Sequence, residues 1–258
     1  METSPVYVVS DIHLGAVPAE TERAFRRFLS HVAEHASLLL VNGDLFDFWF
    51  EYRHVILAEH YRVLATLRDV VEAGVPVVFV GGNHDAWAGS FLRDTVGIEV
   101  RQGPVEMELG GRRTLVAHGD GVGRGDFKYR ALKRLIRNPL TVGAFRALHP
   151  DLGRRVALLA STTEHKAASG DRDAKQGRAA FIAAWAEETL RADPALQLVL
   201  AGHAHLATRT EVAPGRFYVN SGDWLDTFDY VVLPPDGAPP ELHVWEDRPQ
   251  SKSAGPTR

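Results

Sequence analysis

Five short stretches of this chain concentrate side chains that bind divalent cations: Asp11-Ile12-His13, Gly43-Asp44, Gly82-Asn83-His84-Asp85, His118-Gly119-Asp120 and Gly202-His203-Ala204-His205. The aspartates offer carboxylate oxygens, Asn83 a neutral amide oxygen and each histidine an imidazole nitrogen. The chain has no cysteine, so thiolate sites and disulfides are both excluded. Nitrogen and oxygen donors without sulfur suit Mn²⁺, Fe²⁺ or Zn²⁺, not copper(I) or an iron–sulfur cluster. Asp44 has two carboxylate oxygens and could bridge two ions. Asp-x-His and His-x-His place two side chains on one side of an extended segment, because a strand alternates with period two. Gly15, Gly43, Gly82, Gly119 and Gly202 beside these residues let the backbone turn away sharply. One histidine after a strand is ordinary structure; a set of such residues at successive strand ends is not. His31, His35, His54, His60, His149, His165 and His243 fit no motif and read as surface or packing residues. Asp47 reads as a partner behind a ligand or as a helix N-cap. Asp120 is similarly open.

The elements that must position these side chains are legible in the apolar pattern. Val6–Ser10, Leu38–Asn42 and Pro76–Gly81 read as buried strands. Between them, Glu20–His35 and His54–Ala73 carry apolar residues at steps of three and four, the helical period, and Gly74 closes the second. Such alternation implies right-handed crossovers and a largely parallel sheet. Val105–Leu109, Gly110-Gly111 and Arg113–Ala117 read as a β-hairpin. From Asp126 to about Ala160 the chain reads as helical, broken at Asn138-Pro139 and His149-Pro150. Ala167–Lys175 reads as a loop and Arg178–Arg191 as an amphipathic helix. Leu198–Ala201, Ala207–Val212, Phe217–Asn220 and Tyr230–Leu233 read as strands. In open α/β sheets ligands bind outside the carboxyl ends of strands, so the five stretches should share one rim. The prediction is one α/β domain over residues 1–247 with a helical insertion at about 124–170, and a frayed polar tail at 248–258.

Composition sets the remaining bounds. The 258 residues are 45% hydrophobic and 24% charged, with net charge -4, which excludes a mostly disordered chain. No apolar run reaches the ~18 residues of a membrane span. The N-terminus lacks the basic and apolar segments of a signal peptide, so a cytoplasmic location is expected. The mild total hides an asymmetry: residues 124–155 hold nine basic and two acidic residues, a local +7.

These five blocks, in this order, resemble the calcineurin-like metallophosphoesterases, over about residues 6–235. The resemblance implies an α-β-β-α sandwich of two mixed sheets. It implies that Asp11, His13, Asp44 and His205 hold one metal, and that Asp44, Asn83, His118 and His203 hold the other. Two ions roughly 3.5–4 Å apart clamp a phosphoryl group and acidify a bridging water to hydroxide, which attacks phosphorus in line. They also neutralise charge on the phosphoryl oxygens. His84, beside Asn83, would face the leaving oxygen as proton donor, and Asp85 would orient its imidazole.

Three features bear on the substrate. Gly43–Tyr52 carries Phe46, Phe48, Trp49 and Phe50, of which at least two are expected in the core. His118–Tyr129 leads into the insertion. The insertion combines the +7 charge with Leu132, Leu135, Ile136, Leu140, Val142, Phe145, Leu148 and Leu152, a pattern suited to a membrane surface or a lipid. Together with Ser10-Asp11-Ile12-His13-Leu14 and Gly43-Asp44-Leu45-Phe46, they resemble the UDP-2,3-diacylglucosamine diphosphatases of lipid A synthesis. In that group a helical cap follows His-Gly-Asp and holds the acyl chains, Mn²⁺ is the usual metal, and attack at the α-phosphorus releases UMP and a lipid 1-phosphate. The resemblance implies substrate contacts at Asp126 and Tyr129, and more weakly at Arg124, Lys128 and Lys166. It also implies a peripheral position on the cytoplasmic face of the inner membrane. No nucleic acid or obligate protein partner is expected. Two positions depart from that group: His84 stands where its best-known members have Arg, and Leu206-Ala207 where they have Arg-Pro. The alternatives are a soluble phosphodiesterase or nuclease of the same superfamily and a non-catalytic scaffold.

Overall fold

Alternation along one strand decides the layering. In β1 (Val6–Val9), Val6 and Val8 enter one apolar cluster while Tyr7 and Val9 enter another, so both faces are buried. β2 (Leu38–Asn42) and β3 (Val77–Gly81) repeat this, with Leu40, Val78 and Val80 on the first face and Leu39, Val41 and Phe79 on the second. The second face is covered by α1 (Ala19–His35) and α2 (Tyr61–Glu72), through Ala24, Phe28 and Val32 and through Val63, Leu67 and Val70.

The computed structural model describes residues 4–123, 131, 134–156 and 172–247. Its six-stranded sheet adds β4 (Glu99–Gln102), β10 (Asp229–Leu233) and β11 (Glu241–Val244) in the order β11-β10-β1-β2-β3-β4. The pairs from β1 to β4 are parallel, whereas β10 and β11 are antiparallel. A five-stranded sheet combines β5 (Val105–Leu109), β6 (Arg112–Val116), β7 (Leu198–Ala201), β8 (Thr208–Ala213) and β9 (Arg216–Asn220) in the order β5-β6-β7-β9-β8. Leu109, Val116, Leu198, Leu200 and Val219 meet the first face of β1–β3 to form the middle layer. The outer face of this second sheet packs on a long helix, Arg172–Ala192, through Ile182, Ala186 and Leu190. The result is the expected α-β-β-α sandwich of two mixed sheets.

Two helix starts and two strands differ from the sequence reading. The second helix begins at Tyr61, after a 3-10 turn at Ala58–His60. His60 is pulled into the core against Phe46 and Trp49, ring centroids 4.5 and 5.9 Å away, and this fixes the chain before the helix can start. The long C-terminal helix starts at Arg172, so residues 172–175 are helix, not loop. Asp173 is exposed and Lys175 reaches Asp226 at 3.5 Å, so this turn is helix with a polar surface. β4 and β11 had no counterpart in the sequence reading; they are the two edges of their sheet and carry no buried residue. The proline breaks in the insertion stand as read. Asn138 caps α3 (Pro139–Arg146), its side chain accepting from Leu140 N–H at 2.9 Å, and residues 150–156 are helical again. The tail reading at 248–258 lies outside the described residues.

Candidate metal centre

The strand ends do not run on as extended chain. Asp11, His13, Asp44, His203 and His205 all adopt positive φ, between 51° and 65°. Such backbone costs of order 1–3 kcal/mol at a non-glycine residue and persists only where the surroundings over-determine it. Here they do. Asp11 N–H donates to Gly43 O, Ile12 and His13 N–H both donate to Asp44 O, and Gly202 N–H donates to His118 O at 2.7 Å. Asp11-x-His13 and His203-x-His205 therefore converge through left-handed kinks, not through the two-residue alternation of a strand.

Each central carboxylate is split between scaffold and centre. Asp11 Oδ2 accepts from His203 N–H at 2.9 Å, and Asp44 Oδ1 accepts from His84 N–H at 3.0 Å. The opposite oxygens meet the imidazoles. Asp11 Oδ1 lies 3.4 Å from His205 Nε2 and 4.0 Å from both His13 Nε2 and His118 Nε2. Asp44 Oδ2 lies 3.1 Å from His118 Nε2 and 3.9 Å from His13 Nε2. Donor atoms of Asp11, His13 and His205 fall within 4.8 Å of one another, and so do those of Asp44, His118 and His203. His13, Asp44 and His84 form a third such group.

The electrostatics suit a cation. Burial pushes the Asp11 carboxyl up to about 6 despite His118. Burial also opposes ionisation of Asp44, but His118, His84 and His13 hold it well below the usual carboxylate range. Burial works against charge on His118, yet Asp44 and Asp11 hold its pKa well above the ordinary value. Burial, aided by His118, takes His203 down to about 4, and burial with His13 takes His205 down to about 2. These last two imidazoles are neutral at pH 7, the form that ligates metal. Asp11 Oδ1 and Asn83 Oδ1 are buried without a hydrogen-bond partner among the described residues. A Cβ on Gly82 would sit 2.2 Å from Asp44 Oδ1, and one on Gly43 2.3 Å from His118 Nδ1. The cradle thus requires glycine, and its donor set fits divalent cations.

The profile of the calcineurin-like phosphoesterases matches residues 4–207. The chain belongs to this family. Divalent metal ions are its class of cofactor, and hydrolysis of phosphate esters its class of reaction. Among curated proteins it is similar to a "UDP-2,3-diacylglucosamine hydrolase" of Porphyromonas gingivalis, at 29% identity over 95% of this chain and 98% of that one. Proteins of the same name from Actinobacillus succinogenes and Ralstonia nicotianae are 27% and 28% identical, each over 89% of this chain and 95% and 86% of theirs.

Outer groups stand behind the imidazoles of this phosphoesterase. His118 Nδ1 lies 2.8 Å from Asn42 O and His84 Nδ1 2.9 Å from Asp47 O. His13 Nδ1 is 3.5 Å from Asp47 Oδ1, and His205 Nδ1 is 3.7 Å from Asp223 Oδ2. Asp47 is therefore the partner behind the ligands and not a helix cap. The expected role of Asp85 is corrected. Its carboxylate accepts the amides of Gly82, Leu45 and Asp44 at 2.8, 2.7 and 3.3 Å, so it braces the two loops, and Asp47 is what orients His84. Burial, with Asp44 nearby, raises Asp85 to about 6. Asp120 stays outside the clusters, although its charge acts on His118 and His203.

Sequence reasoning missed Asp223. It follows Asn220 in a polar stretch without metal-type spacing, and its Oδ1 accepts from the amides of Leu225 and Asp226. The substrate candidates Arg124, Asp126, Lys128, Tyr129 and Lys166 lie outside the described residues. Of the aromatic run, Phe46, Trp49 and Phe50 are buried. Phe50 also receives Phe145 of the insertion, centroids 4.7 Å apart, with Trp87 5.0 Å from the same ring.

Proposed function

We propose that this phosphoesterase hydrolyses the diphosphate of UDP-2,3-diacylglucosamine to UMP and 2,3-diacylglucosamine 1-phosphate. The observation that carries the reading is the similarity to the Porphyromonas gingivalis hydrolase of that substrate, which runs almost end to end in both chains. In this reading Asp11, His13, Asp44 and His205 hold one divalent ion and Asp44, Asn83, His118 and His203 the other, with Mn²⁺ as the preferred metal. Bound ions supply positive charge to the phosphoryl oxygens and bring the pKa of a water near neutrality. The protein's part is positional. Asp44 offers Oδ2 to both clusters because its Oδ1 is held by the His84 amide. The Asp47 carbonyl can only accept, so His84 Nδ1 carries a hydrogen there; in the imidazolium form Nε2–H is left to give its proton to the departing phosphate oxygen, and the ring returns to the neutral state.

The inserted segment supports a lipid substrate. None of the residues of α3 is buried, and Leu140 and Leu135 are 83% and 62% exposed. Leu152 and Val156 are exposed as well. Apolar side chains among arginines in this way suit acyl chains and an anionic membrane surface. Among the described residues no helix is long and apolar enough to cross a membrane, so the proposed contact is peripheral, on the cytoplasmic face of the inner membrane. The test is UMP release from the lipid by purified, Mn²⁺-loaded protein. Release that stops with chelator and returns with metal supports the reading. Cleavage of DNA or cyclic nucleotides with no UMP release would replace it with the soluble phosphodiesterase reading.

A further inference from the structure

Beside the His118 strand end lies a cavity of about 560 Å³, bounded by Pro104, Asp120, Val122, Arg134, Arg137 and Trp185. It opens at the loop that follows ligand His118, and Asp120 on its wall acts electrostatically on both His118 and His203. The floor comes from the Arg172–Ala192 helix. A Cβ on Gly119 would meet Ile182 at 3.0 Å and one on Gly123 would meet Phe181 at 2.8 Å, so this helix packs directly against the loop. Trp185 lies one turn beyond Phe181 on the same helix and is partly buried.

The lining also holds a cation, Arg137, with part of its hydrogen-bonding capacity unused among the described residues. Arg137 Nε and Nη2 are both buried and lack a hydrogen-bond partner among the described residues. Buried charged donors left in this state are costly unless a ligand completes them. Arg137 lines both this cavity and a neighbouring cleft that it shares with Ala86 and Trp87, just past Asn83. Trp87 Nε1–H donates to Ile136 O at 3.0 Å and fixes the backbone next to Arg137. An anion-seeking guanidinium, a carboxylate and an aromatic ring around one cavity match phosphate, ribose and base.

We propose that this cavity takes the nucleoside monophosphate half of the substrate. Arg137, helped by Arg134, binds the nucleotide phosphate at the edge of the metal centre. Asp120 accepts ribose hydroxyls, and Trp185 stacks on the pyrimidine. The lipid half then leaves the metals on the side of the exposed leucines. This rests on the diphosphate reading given under Proposed function and assigns the two halves of that substrate to separate surfaces.

The test uses the full Mn²⁺-loaded protein and UMP as probe. Calorimetry should show roughly tenfold weaker UMP binding for Arg137→Gln and for Trp185→Leu, with thermal melting used to discard any variant that does not fold. Inorganic phosphate should lose affinity with Arg137→Gln and not with Trp185→Leu. Photo-crosslinking of 5-iodo-UMP to the wild-type protein should label Trp185 or the 120–123 peptide, a readout that needs no variant. Wild-type UMP affinity in both folded variants, or labelling elsewhere, overturns the cavity assignment even if the lipid is cleaved. If the lipid is not cleaved but UMP binding still depends on both residues, the diphosphate reading fails and the nucleotide cavity stands.

Discussion

The metal rim and the inserted helices are neighbours, Phe145 packing on Trp87 three residues past His84, yet they are built on opposite terms. At the rim, Asp11, His13, Asp44 and His118 are at most 2% exposed, and kinked backbone is locked by amides from both sheets. In the insertion, no residue of α3 is fully buried, and Leu140, with Leu135 and Leu152 on either side of the helix, faces solvent. What ties it down is local: Phe145 between Phe50 and Trp87, the Trp87–Ile136 bond and the Arg154–Glu59 pair at 2.5 Å. The difference teaches where each kind of information sits. Chemistry that tolerates no displacement is placed where two sheets over-determine it. Under the proposed function, recognition of a lipid without fixed shape would fall on this exposed surface.

Four experiments would break or sharpen this contrast. The largest effect is expected for Asp44→Asn, because Asp44 Oδ2 touches both clusters. Phosphoester turnover should fall about a thousandfold or more, with metal content reduced in elemental analysis. A variant with near-normal turnover would mean the rim is not the reacting centre. Next is Asp223→Asn, which removes the charge behind His205 while keeping its shape. Metal affinity should drop by about 10- to 100-fold in calorimetry, with the melting temperature little changed. Unaltered affinity would reduce Asp223 to a loop brace.

The insertion should answer differently. Leu140→Glu with Leu152→Glu should raise KM for the lipid substrate about tenfold and weaken flotation with anionic vesicles. Folding stability should move by less than about 0.5 kcal/mol, as for exposed positions away from structural features. Stability loss well beyond that would show the leucines packed, not waiting for lipid. The smallest effect is on protons. Against burial, Asp44 and Asp11 hold the His118 pKa well above its ordinary value in the metal-free centre, and a proton carried there must leave before the ring can ligate metal. Roughly one proton should therefore be released on metal binding at pH 7, read from calorimetry in buffers of different ionisation enthalpy. Because Asp11 titrates near 6, release should rise and affinity fall as the pH drops through 6. A buffer-independent heat at pH 7 would sink this assignment.

Much of the architecture was readable because burial writes itself into composition. β1, β2, β3 and β7 are unbroken apolar runs, since both of their faces are covered. The Gly110-Gly111 turn supplies the two positive φ values that its hairpin needs. Edges write nothing comparable. Glu99–Gln102 and Glu241–Val244 pair with one neighbour each and bury no side chain, so no apolar pattern marks them. The first residues of the Arg172–Ala192 helix were misread for a related reason: a solvated helical turn and a polar loop have the same composition.

By itself, the sequence determined which donor atoms are available, that they follow strand ends, and that sulfur takes no part. Those are properties of residue type and local period, and they need no partner in space. Only the tertiary structure decided the rest: that five of the ligand-type residues sit in left-handed backbone, that Asp85 braces loops while Asp47 turns His84, and that Asp223 stands behind His205. Each of these depends on hydrogen bonds or ion-pair contacts between separate segments of the chain. No window of sequence contains both partners, and the energy that fixes them exists only once the two sheets have closed on each other.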